Sequence, residues 1–271
     1  MKIPFLDRGP RVALIRLQGL IAARGDPFGG GISAAGVAPL IERVFAMKRL
    51  KAVFIAINSP GGSPVQSSLV AQAIRRGAEK AKIPVVAVAE DAAASGGYWI
   101  ACAADEIVCD PASILGSIGV VSSGFGFHDA IGRLGIERRL RTAGTEKTLL
   151  DPFRPERAED VARLEDLLAR LHEEFCAWVR SRRGAALKAP EGQLFTGRFW
   201  TGREAVALGL ADGLGDVQSE AMRRFGEDVR VMPIGGRRRP FPWRLLPGME
   251  EAAGALALAA EERAAWARLG L

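Results

Sequence analysis

The sequence predicts an α/β domain in which parallel strands are covered by helices on both faces. Two patterns carry this. Strand-length apolar runs rich in Val and Ile do not alternate with polar residues, and amphipathic helical stretches separate them. A strand buried on both faces reads as continuous hydrophobic sequence, whereas a half-exposed one alternates. Size agrees: 271 residues, 48% apolar and 25% charged, suffice for a sizeable core and exclude a disordered or fibrous chain.

The elements follow in order. Residues 12–21 (VALIRLQGLI) read as a strand, and the glycines at 29–31 break the chain. Residues 36–48 read as a helix with Val37, Leu40, Ile41 and Val44 on one face. Residues 52–58 (AVFIAIN) form a buried strand that ends in Ser-Pro-Gly-Gly, with a helix over 65–80 after it. Residues 84–89 (PVVAVA) give another buried strand, 92–104 a helix and 106–109 a short strand. A short helical stretch is expected over 129–134. A long amphipathic helix over about 155–183 carries Val161, Leu164, Leu168, Leu171, Phe175 and Trp178 on one stripe. The run Gly235-Gly236-Arg237-Arg238-Arg239-Pro240 reads as a boundary. It divides a domain over 1–235 from a basic, Ala-rich helical tail over 236–271.

Composition narrows the function classes. The longest uncharged stretch, 52–74, holds Asn58-Ser59-Pro60-Gly61-Gly62-Ser63-Pro64 in its middle and is no membrane span. The next, 111–128, carries four Gly and four Ser and fails likewise. The opening MKIPFLDRGPR has no apolar core of the signal-peptide kind, so the sequence reads as that of a soluble protein. Three cysteines without CxxC spacing argue against a disulfide framework and a zinc site, and point to a reducing, cytoplasmic setting. The +6 net charge comes from 30 Arg and only 7 Lys in scattered clusters. Without aromatic interleaving it reads as solvated surface rather than a nucleic-acid groove. In the tail, residues 237–244 pair basic with aromatic residues. They suit peripheral contact with an anionic inner-membrane surface, or packing on a neighbouring subunit.

Two small-residue motifs follow apolar strands. Asn58-Ser59-Pro60-Gly61-Gly62 is either an ordinary tight turn or a bend that exposes backbone N–H groups as oxyanion donors. In Ala92-Ala93-Ala94-Ser95-Gly96-Gly97-Tyr98, Ser95 is either a helix N-cap or a nucleophile whose small neighbours admit a substrate backbone. His128 and His172 read as surface or capping residues. Lysines are scarce: none lies between Lys82 and Lys147, and only Lys188 follows. Lys147, in a polar segment, is either a solvated surface residue or a general base. The second role requires a neutral amine, which desolvation favours.

The motifs INSPGG, ASGGYWIACAAD, GSIGV (116–120), Gly-x-x-Lys at 144–147 with its following Pro-Phe, and FTGRFWTGREAVALGLADGLG (195–215) occur here in one order. In that order they resemble signal peptide peptidase A and SohB-type serine peptidases, the S49 family, over roughly residues 11–217. The resemblance implies a ClpP/crotonase-like fold, with Ser95 as nucleophile and Lys147 as general base. It further implies an oxyanion hole from the Gly62 and Gly96 N–H groups (Gly61 being the alternative to Gly62) and Ser117 as the partner that holds the lysine amine. No metal or cofactor is implied. Peptides with small or apolar side chains are the implied substrates, in a homo-oligomer with active sites at subunit interfaces. Many relatives carry a membrane anchor or two copies of the domain, and this sequence shows neither. Rival readings are a ClpP-like Ser95–His128 peptidase, a crotonase-type acyl-CoA enzyme and a non-catalytic scaffold.

Overall fold

The apolar runs become strands because their side chains find cover on both sides of a sheet. The computed structural model of the chain describes residues 9–23, 31–144, 146–235, 260 and 262–271. Strand β1 (Arg11–Gln18) leads to helix α1 (Ala34–Phe45), whose first turn Ser33 caps by accepting the Gly36 N–H. Strand β2 (Leu50–Ser59), helix α2 (Pro64–Ala81), strand β3 (Val85–Ala94) and helix α3 (Gly96–Ala101) follow. Next come β4 (Glu106–Cys109), β5 (Ile114–Gly116), α4 (His128–Arg133) and the long α5 (Ala158–Arg183). The remaining described elements are α6 (Glu191–Leu194), β6 (Phe199–Thr201), α7 (Gly202–Leu208), β7 (Gly213–Leu214), α8 (Val217–Phe225) and β8 (Arg230–Pro233).

The strands run in the order β6-β5-β3-β2-β1-β8, with β4 pairing β3 and β7 pairing β4. Among the described strands all pairings are parallel except β5 with β6. Alternate residues of the central strands feed opposite layers. Val12, Leu14, Phe54, Ala56, Val86 and Val88 pack towards Ala221 of α8. Their neighbours Ile15, Val53, Ile55 and Ala87 are buried as completely on the other side. That two-sided burial explains the continuous hydrophobic sequence.

The expected helix over 92–104 is shorter. Ala92–Ala94 continue β3, and α3 starts only at Gly96. Alanine's helical preference is weak against pairing on both edges: Ala92, Ala93 and Ala94 pair with Ile114, Leu115 and Gly116, while Ala93 also pairs with Ser59. At its far end α3 is tied down by Arg182 of α5, which donates to the Cys102 and Ala104 carbonyls at 2.9 and 3.1 Å. The first strand, expected through residue 21, ends at Gln18, where Gly19 turns at φ 91°; Ile21 returns as a single bridge residue.

The chain divides into two units, Met1–Gly119 with Cys176–Leu271, and Val120–Phe175. The expected boundary at 235/236 and the basic-aromatic run 237–244 lie outside the described residues. Within the first unit, the last described residues return to the sheet. Leu269 and Trp266 pack with Ala92, Ala94 and Ile114, and a Glu262 carboxylate oxygen accepts the Leu20 N–H at 3.2 Å. Among the described residues no helix is long and apolar enough to cross a membrane.

One charged group in the core supplies a stability test. Glu220, only 6% exposed, accepts hydrogen bonds from Arg223 at 2.7 Å and Arg224 at 3.0 Å. Arg223 first, and Arg224 after it, hold its carboxyl below the usual range against the opposing effect of burial. A depressed folded-state value means stabilisation that is present above the unfolded-state pKa and lost as pH falls. Glu220→Gln is therefore expected to destabilise by about 1–3 kcal/mol near neutrality. The gap from the parent should close below about pH 4. Urea unfolding of both proteins at the two pH values checks this.

Candidate functional site

Ser95 stands between the end of β3 and the start of α3 at φ 51° and ψ −119°. An L-residue rarely adopts this conformation, and holding one there costs on the order of 1–3 kcal/mol. Parallel pairing brings the strand in and helix geometry takes the chain out, so the one residue between them absorbs the change of direction. The Ser95 N–H donates to the Gly116 carbonyl at 2.8 Å, and the Ser95 carbonyl accepts the Trp99 N–H at 3.0 Å. The side chain makes no cap hydrogen bond, and among the described residues its hydroxyl has no other partner. Ser95 thus occupies the N-cap position of α3 without its side chain capping the helix. A strained strand-to-helix turn that presents an unengaged hydroxyl is the geometry of a nucleophile elbow.

The glycine loop lies against this turn. Ile21 forms a parallel bridge with Gly62, donating its N–H to the Gly61 carbonyl and accepting the Ser63 N–H, both at 2.8 Å. That pattern uses the residues on either side of Gly62 and leaves the Gly62 N–H facing away from Ile21. A side chain at Gly62 (φ 141°) would collide with the Ile21 backbone, and one at Gly61 (φ 110°) would lie 2.7 Å from Ser95 Cβ and 2.9 Å from the Gly96 nitrogen. Only glycine lets the loop come this close. Gly96 is the first residue of α3, so its N–H has no acceptor within the helix. Neither the Gly62 nor the Gly96 N–H donates to another described residue. Two free amide donors therefore adjoin one free hydroxyl.

Ser117 belongs to the same neighbourhood. It is half-buried at φ 53°, it follows the Gly116 carbonyl that receives the Ser95 N–H, and its own N–H donates to the Arg198 carbonyl at 2.8 Å. The structure thus brings Ser95, Gly62, Gly96 and Ser117 into one region of the first unit.

Lys147 belongs to the second unit, exposed at a bend. Its neighbour Glu146 is engaged by Arg163 at 2.6 Å, and among the described residues Lys147 forms no ion pair. His128, also of the second unit, begins α4 in an exposed position. The thiols of Cys102 and Cys109 are poorly suited to chemistry. Burial pushes Cys102 up to about 12 and Cys109 up to about 11.

Sequence reasoning missed the polar residues under the site. Asn58, 8% exposed, donates from Nδ2 to Asp91 at 2.6 Å and accepts the Ala92 N–H at 3.1 Å. On the opposite edge of β3 the buried Ser113 hydroxyl donates to the Glu90 carbonyl at 2.5 Å. The available signal was one amide side chain closing an otherwise apolar strand.

Comparison with known proteins places this geometry in context. The family model described as Peptidase family S49 matches residues 77–231. The chain is 33% identical over 212 residues to the chloroplastic serine protease SPPA of Arabidopsis thaliana, covering 76% of this chain and 30% of that protein. It is 44% identical over 273 residues to a protein of Brucella abortus named Na(+)/H(+) antiporter NhaA, covering 96% of this chain and 37% of that protein. The chain thus spans about a third of the length of these curated relatives. Among solved structures, a mutant of the 1510-N membrane-bound stomatin-specific protease superposes with a TM-score of 0.52 at 16% identity, over 84% of this chain and 98% of that one. That likeness shows the fold.

Proposed function

Because this chain belongs to peptidase family S49, we propose that it is a serine endopeptidase working through a Ser95–Lys147 dyad. The observation that carries the proposal is the strained Ser95 turn, its hydroxyl unengaged among the described residues, beside the Gly62 and Gly96 N–H groups. Ser95 Oγ attacks the scissile carbonyl while Lys147 Nζ takes its proton, and Ser117 holds the amine. The carbonyl oxygen, now an anion, is held by the two amide donors, one of them at the start of a helix. Lys147 returns the proton to the leaving amine. A water deprotonated by the same lysine then hydrolyses the acyl-enzyme. Family membership favours this hydrolysis over acyl-CoA chemistry. The substrates are unfolded peptides, signal-peptide remnants among them, with small or apolar side chains at the scissile bond. The small residues around Ser95 support that choice.

The working form is a homo-oligomer in which one subunit supplies Lys147 to the Ser95 of another. Support comes from the second unit, which leaves Phe125 81%, Leu134 74% and Ile136 56% exposed, a surface that a second copy would bury. Lys147 is exposed in the single chain, and a subunit laid over it would exclude water and favour the neutral amine.

Mixing two inactive variants tests the shared site. Ser95→Ala and Lys147→Ala proteins, refolded together, are expected to regain peptide hydrolysis, because some interfaces pair an intact Ser95 with an intact Lys147. A mixture that stays inactive, with subunit exchange verified by mass spectrometry, would place each dyad within one chain. The Ser95–His128 alternative predicts instead that Lys147→Ala is active by itself and His128→Ala is not.

A further inference from the structure

The two segments that bear the free amide donors share one anchor. Between the pairs Ile57–Ala89 and Ser59–Ala93, β2 advances by one intervening residue and β3 by three, so β3 bulges at Glu90–Asp91–Ala92. There it also changes partners, from β4 through Ala89 to β5 from Ala92 onward. A bulge bends its strand and re-aims the residues beyond it; here the strand beyond the bulge leads directly to Ser95. Asn58 sits opposite the bulge and closes it, accepting the Ala92 N–H on one side of its amide and donating to Asp91 on the other. Its backbone carbonyl takes the Gly19 N–H at 2.9 Å. Four residues downstream of Asn58 is Gly62; four downstream of Ala92 is Gly96.

We propose that Asn58, oriented by Asp91, is a positioning residue. By tying the root of the glycine loop to the root of the Ser95 turn, it sets the spacing between the Gly62 and Gly96 N–H groups. The proposal rests on the reading of Ser95 as nucleophile. Donors placed for an oxyanion act on the transition state more than on the bound substrate, so misplacing them lowers kcat and leaves KM nearly unchanged. A displaced donor should be less damaging than a deleted one, which lowers kcat by about 100-fold or more. Asn58→Ala is therefore expected to lower kcat by about 30-fold with KM within about threefold.

The experiment measures kcat and KM on a quenched-fluorescent peptide, per active site counted by titration with a serine-directed phosphonate. Counting sites separates positioning from folding: a merely structural Asn58 would reduce the titrated fraction and leave kcat per site unchanged. Asn58→Asp should be more harmful than Asn58→Ala, since it sets two carboxylates against each other. Adding Asp91→Asn to it should restore kcat per site to within about threefold of the parent, because the carboxylate at 58 accepts the Ala92 N–H and the amide at 91 donates to it. If Asn58→Ala does not fold, Asp91→Ala at an exposed position replaces it, with a loss of about fivefold expected. A kcat per site within twofold of the parent in the folded single variant would overturn the proposal, as would a double variant no better than Asn58→Asp alone. Ser95→Ala is assayed in the same series. Activity surviving there defeats the nucleophile assignment itself, whatever the Asn58 variants do.

Discussion

Ser95→Ala is expected to eliminate peptide hydrolysis, with kcat falling by on the order of 10⁴-fold or more, and to leave the fold intact. The size of the effect follows from the role. Without the oxygen no acyl-enzyme forms, and only the binding and oxyanion contributions to rate remain. The fold survives because the hydroxyl supports nothing among the described residues: it makes no cap bond, and the half-buried side chain loses one atom. A stability change within about 1 kcal/mol is anticipated. Turnover of a peptide substrate and thermal unfolding, measured on the same preparation, decide it. Activity above about 1% of the parent in a folded variant is incompatible with Ser95 as the nucleophile.

Lys147 should be nearly as sensitive, and the informative substitution is the conservative one. Lys147→Ala and Lys147→Arg are both expected to lose about 10³-fold or more in kcat/KM. A guanidinium preserves charge and length but stays protonated, so it cannot take the serine proton. Neither change should alter stability measurably, because Lys147 is exposed at a bend and among the described residues forms no ion pair. Steady-state kinetics together with circular dichroism suffice. Substantial turnover by Lys147→Arg would sink the dyad and return attention to His128.

Much of the first unit was legible in the sequence, for a physical reason. Strands buried on both faces leave unbroken runs such as AVFIAIN and PVVAVA, and the glycines after them mark where the backbone must turn tightly. Ala92–Ala94 misled because alanine carries no strand signature; two neighbouring strands, distant in sequence, made it one. The bulge that Asn58 closes was invisible for a related reason. A two-residue offset between strands is a property of the pair, and neither strand encodes it alone. Around Ser95 the small residues marked a candidate site, while the positive-φ backbone at the serine became evident only in three dimensions. In the second unit the long α5 was legible from its apolar stripe, but the stretch before it holds only the short α4 and exposed loops, which give little periodicity. There Lys147 was singled out by the scarcity of lysine and by motif order.

The backbone at Ser95 has an implication for how such a chain would change over generations. A residue held at φ 51° and ψ −119° relaxes most fully when it becomes glycine, which visits that region freely. On the proposed reading of Ser95 as nucleophile, a substitution that ends hydrolysis is therefore one that the fold would welcome. On that reading, selection for activity would keep a side chain at a position where selection for stability alone would remove it. In a lineage released from the need to cut peptides, drift at this codon would run towards glycine, and the resulting protein would be a sturdier copy of the same architecture with nothing left to attack a carbonyl.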